Sequence, residues 1–137
     1  MEKNPLGGFA VERFLRDHWQ KKPLVLRGIA PMLAGALTRD GLIDLACRDD
    51  TESRLIVGRG RNWSVRHGPF RRRDFAKLPA REWTLLVNGV DTLLPAARDL
   101  LTAFSFIPYA RKDDVMVSYA APGGGVGPHF DSYDVFL

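Results

Sequence analysis

The sequence predicts an α+β fold, in which a mixed α/β amino-terminal region, residues 1–90, leads into a strand-rich region, residues 91–137. Two observations support this prediction. Apolar residues at helical spacing alternate along the chain with short apolar runs of the kind that form strands. The hydrophobic fraction is 45% and the length is 137 residues, both ordinary values for a globular domain.

Helices are expected first over residues 9–20 and 38–48. In the first segment, the amphipathic pattern i, i+3, i+4, i+7 and i+8 is filled by Val11, Phe14, Leu15, His18 and Trp19, and Pro23 follows its end. In the second, Thr38 is a candidate N-cap before a stripe of Leu and Ile residues. Between the two, Leu24–Leu26 is predicted to form a short buried strand.

Further elements follow in order along the chain. Residues 54–57 and 62–66 predict a hairpin around Gly58-Arg59-Gly60. A short helix is expected at 71–77, and a strand buried on both faces at 83–88. Asp91 is a candidate N-cap for a helix over 92–104. The final predicted strands are 115–120 and 129–137, which a glycine-rich turn joins.

Composition narrows the class of protein. The formal net charge is +4, which by itself does not indicate nucleic-acid binding. One cysteine, Cys47, excludes an internal disulfide framework and suits a reducing cytoplasm. No apolar run approaches the ~20 residues of a membrane span. We therefore expect a cytoplasmic protein without a membrane partner.

Basic residues crowd the hairpin and the helix after it. A surface for RNA or another anionic partner is one interpretation, and a solvated basic face is the other. The run alone favours the solvated face, so direct nucleic-acid binding is not expected from it. The residues are Arg54, Arg59, Arg61, Arg66, Arg71, Arg72, Arg73 and Lys77.

His129 and Asp131 form the candidate metal site. On a strand, residues two apart point to the same face, so these two side chains should project together. One imidazole and one carboxylate supply two of the three ligands of a 2-His-1-carboxylate iron centre. A surface histidine beside a turn-capping aspartate would show the same spacing.

The surrounding residues resemble a known family. The segment Pro122-Gly-Gly-Gly-Val-Gly-Pro-His-Phe-Asp-Ser-Tyr-Asp-Val-Phe-Leu137 is similar to the metal-binding strand of bacterial JmjC-type ribosomal oxygenases. The run His18-Trp-Gln-Lys-Lys-Pro-Leu-Val-Leu-Arg27 resembles the amino-terminal signature of the same family. The resemblance covers essentially the whole chain, but only about the first third of the family.

This resemblance implies a cupin double-stranded β-helix, of which residues 91–137 would be the incomplete beginning. It implies an Fe(II)- and 2-oxoglutarate-dependent dioxygenase that hydroxylates an arginine of a large-subunit ribosomal protein. His129 and Asp131 would bind the iron, and Ser118 or Tyr119 would contact 2-oxoglutarate. The full-length parent would be a homodimer.

Two groups that the family requires are missing from this sequence. No histidine follows Asp131 to serve as third ligand, and no later strand supplies the Arg or Lys for 2-oxoglutarate. Because residues 134–137 read as a strand interior, we expect a truncated, inactive piece with an exposed apolar edge at Val135, Phe136 and Leu137. The alternative is a non-enzymatic cupin-like module that binds ribosomal RNA or protein through the basic hairpin.

Overall fold

The computed structural model describes residues 4–29, 35, 37–59 and 62–137. Five α-helices and four strands lie in this part of the chain. The helices are α1 Val11–Asp17, α2 Arg39–Ala46, α3 Arg72–Ala76, α4 Val90–Leu93 and α5 Pro95–Ala103. The strands are β1 Ser53–Arg59, β2 Asn62–His67, β3 Trp83–Val87 and β4 Val117–Ala120.

The four strands form one antiparallel sheet in the order β2-β1-β3-β4. Every residue of β3 is buried, as predicted for a strand covered on both faces. Residues that pair across neighbouring strands point to the same face of the sheet, so the strand register shows which residues lie on each face. Leu55 pairs with Leu85, and Leu85 pairs with Tyr119; together with Trp83 they form the side that packs under α2 and α3.

The hairpin of β1 and β2 confirms the prediction from the sequence, although Gly60 and Arg61 of its turn lie outside the described residues. Helix α2 also forms where expected. The Thr38 hydroxyl accepts a hydrogen bond from Gly41 N at 3.1 Å, as an N-cap should. Helix α1 covers Val11–Asp17 and is therefore shorter than the helix predicted over residues 9–20.

Two predicted strands are wrong. Residues 24–26 contain no strand, and the Val25 side chain is 73% exposed. Residues 129–137 also contain none. A strand requires a neighbour to satisfy its backbone groups, and within the described ranges no backbone hydrogen bond joins either segment to another strand. Apolar composition alone therefore did not determine these segments.

The helix predicted over 92–104 is instead two helices. Leu94 is extended, with φ −122° and ψ 125°, because the residue before Pro95 avoids the helical region. Gly89 occupies the N-cap of α4 with φ +65°. Asp91, predicted as the cap, accepts a hydrogen bond from Val115 N at 2.9 Å and so fastens the segment before β4.

In the described part of the chain, no helix has the length and apolar character needed to cross a bilayer.

Candidate metal centre

The glycine-rich turn after β4 is fixed against the start of β3. Ala121 N donates to Trp83 O at 3.0 Å, and Glu82 N donates to Pro122 O at the same distance. Gly124 N then donates to Ala121 O at 2.7 Å. A Cβ on Gly124 would lie 2.2 Å from Trp83 O, so only glycine fits there. Gly127 has φ +74°, a conformation that other residues rarely adopt.

His129 and Asp131 lie beside each other after this turn. His129 Nε2 and Asp131 Oδ2 are 3.7 Å apart, and both side chains are about half exposed, at 52% and 50%. The two side chains therefore approach each other as their i, i+2 spacing predicts, although the backbone here is irregular. Two ligands about 2.1 Å from one metal ion are separated by about 3 Å, so a small movement would let both bind it.

A backbone contact fixes the orientation of the imidazole. His129 Nδ1 lies 2.9 Å from Gly127 O. A carbonyl oxygen can only accept, so Nδ1 must carry the proton in this contact, which leaves the Nε2 lone pair free in the neutral ring. Metal-binding histidines are commonly held in this way by a second hydrogen bond. The only sign of this contact in the sequence is the glycine two residues before the histidine.

The turn crosses the side of the sheet opposite to the core under α2 and α3. A Cβ on Gly127 would lie 3.8 Å from the Trp63 ring. Trp63 shares its side of β2 with Val65, which pairs through Ile56 with Thr84. The Thr84 side chain is 1% exposed, and its hydroxyl has no hydrogen-bond partner among the described residues.

Ser118 and Tyr119 lie on opposite sides of β4. Tyr119 is on the core side, where its ring lies 5.3 Å from that of Trp83 and 5.8 Å from the Arg39 guanidinium. Ser118 is exposed and shares its side of the sheet with Thr84, because Ala120 pairs with Thr84. The turn that precedes His129 therefore passes on the side of Ser118, and Tyr119 belongs to the packing of the core.

The segment beyond Asp131 contacts α1 and the residues after it. Asp134 Oδ2 accepts a hydrogen bond from Gln20 Nε2 at 3.0 Å. Phe136 stacks on Trp19, with ring centroids 5.8 Å apart, and lies 4.5 Å from Phe104. Val135, Phe136 and Leu137 are all exposed, as expected from the sequence, and Phe136 remains 42% exposed despite its ring contacts.

Within the described ranges, the structure supplies two candidate ligands and no third. Among the described residues, no three His, Cys, Asp or Glu side chains lie together as a metal site would require. His18 instead lies edge-on to Phe9, with ring centroids 5.7 Å apart. His67 is an exposed residue at the end of β2. Neither histidine replaces the missing ligand.

Comparison with known proteins agrees with the resemblance seen in the sequence. Residues 99–137 match the family model described as a JmjC domain. The chain is 44% identical over 127 residues to the probable ribosomal oxygenase of Haemophilus influenzae, covering 92% of this chain and 31% of that protein. It is 40% identical over 124 residues to the ribosomal protein uL16 3-hydroxylase of Escherichia coli, covering 90% of this chain and 33% of that protein.

Solved structures show the same similarity. The X-ray structure of E. coli YcfD superimposes with a TM-score of 0.82 at 37% identity, over 90% of this chain and 33% of that one. The structure of YcfD, a ribosomal oxygenase, in complex with cobalt and 2-oxoglutarate superimposes with a TM-score of 0.73 at 34% identity, over 88% of this chain and 33% of that one.

The chain thus spans about a third of the length of the proteins it matches. Within that third, the resemblance to ribosomal oxygenases and the α+β fold leading into a JmjC domain are confirmed.

Proposed function

We propose that this chain forms part of a 2-oxoglutarate-dependent dioxygenase that hydroxylates a ribosomal protein, with His129 and Asp131 as two of its Fe(II) ligands. The observation that supports this most directly is the pair itself. His129 Nε2 faces Asp131 Oδ2 at 3.7 Å, while Gly127 O holds the opposite ring nitrogen. The pair lies within the residues that match a JmjC domain.

The donor set fits iron better than a soft-ligand metal. A neutral imidazole and an anionic carboxylate suit Fe(II), and two such ligands with a second histidine leave one side of the metal open. When bound, Fe(II) would supply the redox chemistry that side chains cannot provide for hydroxylating a C–H bond. The chain's own residues would hold the ion, and the Gly127 carbonyl would hold the Nδ1 proton so that the neutral ring presents Nε2 to it.

Ser118 is the better of the two candidates for contact with 2-oxoglutarate. It is exposed on the side of the sheet that the turn before His129 crosses. The Tyr119 ring contacts the Trp83 ring on the other side, and the Arg39 guanidinium lies over both rings. A hydroxyl at Ser118 could donate to a carboxylate of the cosubstrate without disturbing the core.

The remaining parts of the proposal concern the full-length parent. It would contribute the third ligand and the cation for 2-oxoglutarate, act in the cytoplasm, and form a homodimer. Residues 1–90 would be its amino-terminal α/β region, and residues 91–137 the start of its JmjC domain. We take the substrate residue to be an arginine of a large-subunit ribosomal protein. A relative whose name states that it hydroxylates ribosomal protein uL16 supports the substrate class.

The test is turnover by the full-length parent, measured as succinate release with a ribosomal-protein peptide and as a one-oxygen gain in mass. His129→Ala and Asp131→Ala should abolish both signals, because one ligand fewer leaves the metal without a defined open side. Asp131→Asn keeps the shape and removes the anionic charge. Asp134→Asn is the matched control, since Asp134 bonds to Gln20 instead of facing His129.

Undiminished hydroxylation by the His129 or Asp131 variants would refute the metal assignment. The alternative function, a non-enzymatic cupin-like module that binds ribosomal RNA or protein through the basic hairpin, would then be favoured.

A further inference from the structure

Positive charge is concentrated in one stretch of this chain. Residues 53–77 contain eight of the 20 Lys and Arg residues but one of the 16 acidic residues, Asp74. The rest of the chain therefore has more acids than cations. The sequence alone is compatible both with a solvated basic face and with a surface that binds an anionic partner. The number of these cations that pair with acidic residues in the fold decides between the two.

Asp74 can offset the charge of only one of these eight cations, because its carboxylate contacts the Arg66 guanidinium and the Arg71 backbone. Its Oδ2 accepts a hydrogen bond from Arg71 N at 2.8 Å, and Oδ1 lies 3.6 Å from the Arg66 guanidinium. The hydrogen bond from the Arg71 backbone, followed by the charge of Arg66, holds the pKa of Asp74 below its ordinary value. The contact with Arg66 also joins β2 to α3, so the cations of both elements belong to one surface.

Few of the other cations whose side chains the structure describes have an acidic partner. Arg72 pairs with Asp44 of α2 and remains 62% exposed. Arg71, Arg73 and Lys77 are exposed, and in the described ranges no carboxylate lies within ion-pair distance of them. Within the described residues, these three cations are therefore not held in close ion pairs. When such cations neutralise the phosphates of a polyanion, the counterions condensed on the polyanion are released, and the entropy of that release favours binding.

The shape of this surface suits an extended polyanion. Every residue of β2 is exposed, and the strand is at the edge of the sheet. Six residues extend about 20 Å, a length over which several phosphates can be bound. Asn62 and Ser64 share the side of Arg66, and the Arg66 guanidinium lies 5.6 Å above the Phe70 ring, which limits its movement.

We propose that this surface, formed by β2 and the residues from Arg71 to Lys77, binds the phosphate backbone of a nucleic acid. We name it the β2–α3 basic surface. A lipid surface fits less well, because interfacial membrane binding uses an amphipathic helix with a broad apolar face, whereas α3 has five residues and begins with two arginines. The proposal is independent of the oxygenase assignment and uses none of its residues.

The experiment measures binding of the chain to labelled RNA and DNA single strands of about 20 nucleotides by fluorescence anisotropy, between about 50 and 200 mM salt. We expect log K to fall linearly with log salt concentration. The variant Arg71→Gln/Arg73→Gln/Lys77→Gln should reduce the magnitude of that slope by about 2 to 3, close to one for each phosphate that is no longer neutralised. Comparison of the RNA with the DNA shows whether the 2′-hydroxyl of RNA contributes to binding.

The matched control is Lys22→Gln/Arg27→Gln/Arg111→Gln. It removes the same charge from exposed cations elsewhere and should keep the slope of the unmodified chain. Arg71→Lys/Arg73→Lys keeps the charge and should also keep it, which excludes an effect of altered folding. An Asp131→Asn variant should bind equally well, so failure of the oxygenase assignment and failure of this proposal are distinguishable.

Three results would overturn the proposal. One is the absence of RNA and DNA binding at about 50 mM salt. Another is an equal reduction of the salt slope in the two triple variants, because the change in net charge alone would then explain the reduction. The third is stronger, salt-sensitive binding to anionic phosphatidylserine vesicles than to either nucleic acid, which would assign the β2–α3 basic surface to membranes.

Discussion

Replacing Gly124 by alanine should loosen the turn that positions His129 and Asp131. The added Cβ would lie 2.2 Å from Trp83 O and 2.9 Å from Ala121 O, both backbone atoms that cannot rotate away. The turn would have to move by about 1 Å to reach an ordinary contact distance. Three backbone hydrogen bonds hold it there: Gly124 N to Ala121 O, Ala121 N to Trp83 O, and Glu82 N to Pro122 O.

The magnitude follows from these bonds. Each contributes about 1 kcal/mol to stability, and the loss of all three would cost about 3 kcal/mol. Alanine also restricts the unfolded chain, which offsets about 0.5–1 kcal/mol. We therefore expect Gly124→Ala to lower the free energy of unfolding by about 2 kcal/mol. Urea unfolding followed by tryptophan fluorescence is suited to this, because Trp83 is 3% exposed and adjoins the turn.

The neighbouring glycine is the matched control. A Cβ on Gly125 would meet no atom within 4 Å, and its φ is outside the left-handed region. Gly125→Ala should therefore change the free energy of unfolding by less than about 1 kcal/mol, in the stabilising direction. Equal unfolding midpoints for the two variants would refute the inferred contact between the turn and Trp83 O.

Three further predictions concern single residues. Thr38→Ala should lower the free energy of unfolding by about 1 kcal/mol, while Thr38→Ser should not, because only the hydroxyl caps Gly41 N; urea unfolding distinguishes them. Because the pKa of Asp74 is lowered in the folded state, this carboxylate contributes stability that is fully present above the unfolded aspartate pKa of ~4 and is lost as pH falls through the folded pKa. In acid titrations of the free energy of unfolding, Asp74→Asn should therefore lose less stability across that range than the unmodified chain. An equal loss in the two proteins would contradict the assignment. Burial raises the pKa of the Cys47 thiol, so iodoacetamide should alkylate it more slowly at neutral pH than a free cysteine, and a faster rate would show that the thiol is not protected.

Sequence patterns predicted best the elements in which side-chain spacing and hydrogen-bond demand agree. The β1–β2 hairpin and β3 formed where expected, since each has a neighbouring strand and an apolar side to bury. Helix α2 formed behind Thr38 for the same reason: its cap and its apolar stripe coincide. The segment 24–26 has the composition of a strand, but no partner in the described residues, and composition cannot supply one.

Asp91 shows how one residue can satisfy two patterns. An aspartate before an apolar helical stripe predicts an N-cap, yet its carboxylate here accepts from Val115 N, 24 residues further on. Asp114 similarly accepts from Gly89 N at 2.5 Å. These two reciprocal contacts join the N-cap and first turn of α4 to the segment before β4. Long-range hydrogen bonds of this kind leave no periodic signal, so local spacing could not have distinguished them from a cap.

The approach of His129 and Asp131 could be predicted from their spacing even though the strand predicted for this segment did not form. Side chains two residues apart come together wherever the backbone is extended enough, whether or not a neighbouring strand is paired to it. What the spacing could not reveal is the hydrogen bond that orients the His129 ring. That depends on Gly127, whose φ of +74° accompanies a carbonyl oxygen 2.9 Å from His129 Nδ1. A residue with a Cβ would be strained at that φ, so the glycine acts on the imidazole through its backbone and not through a side chain.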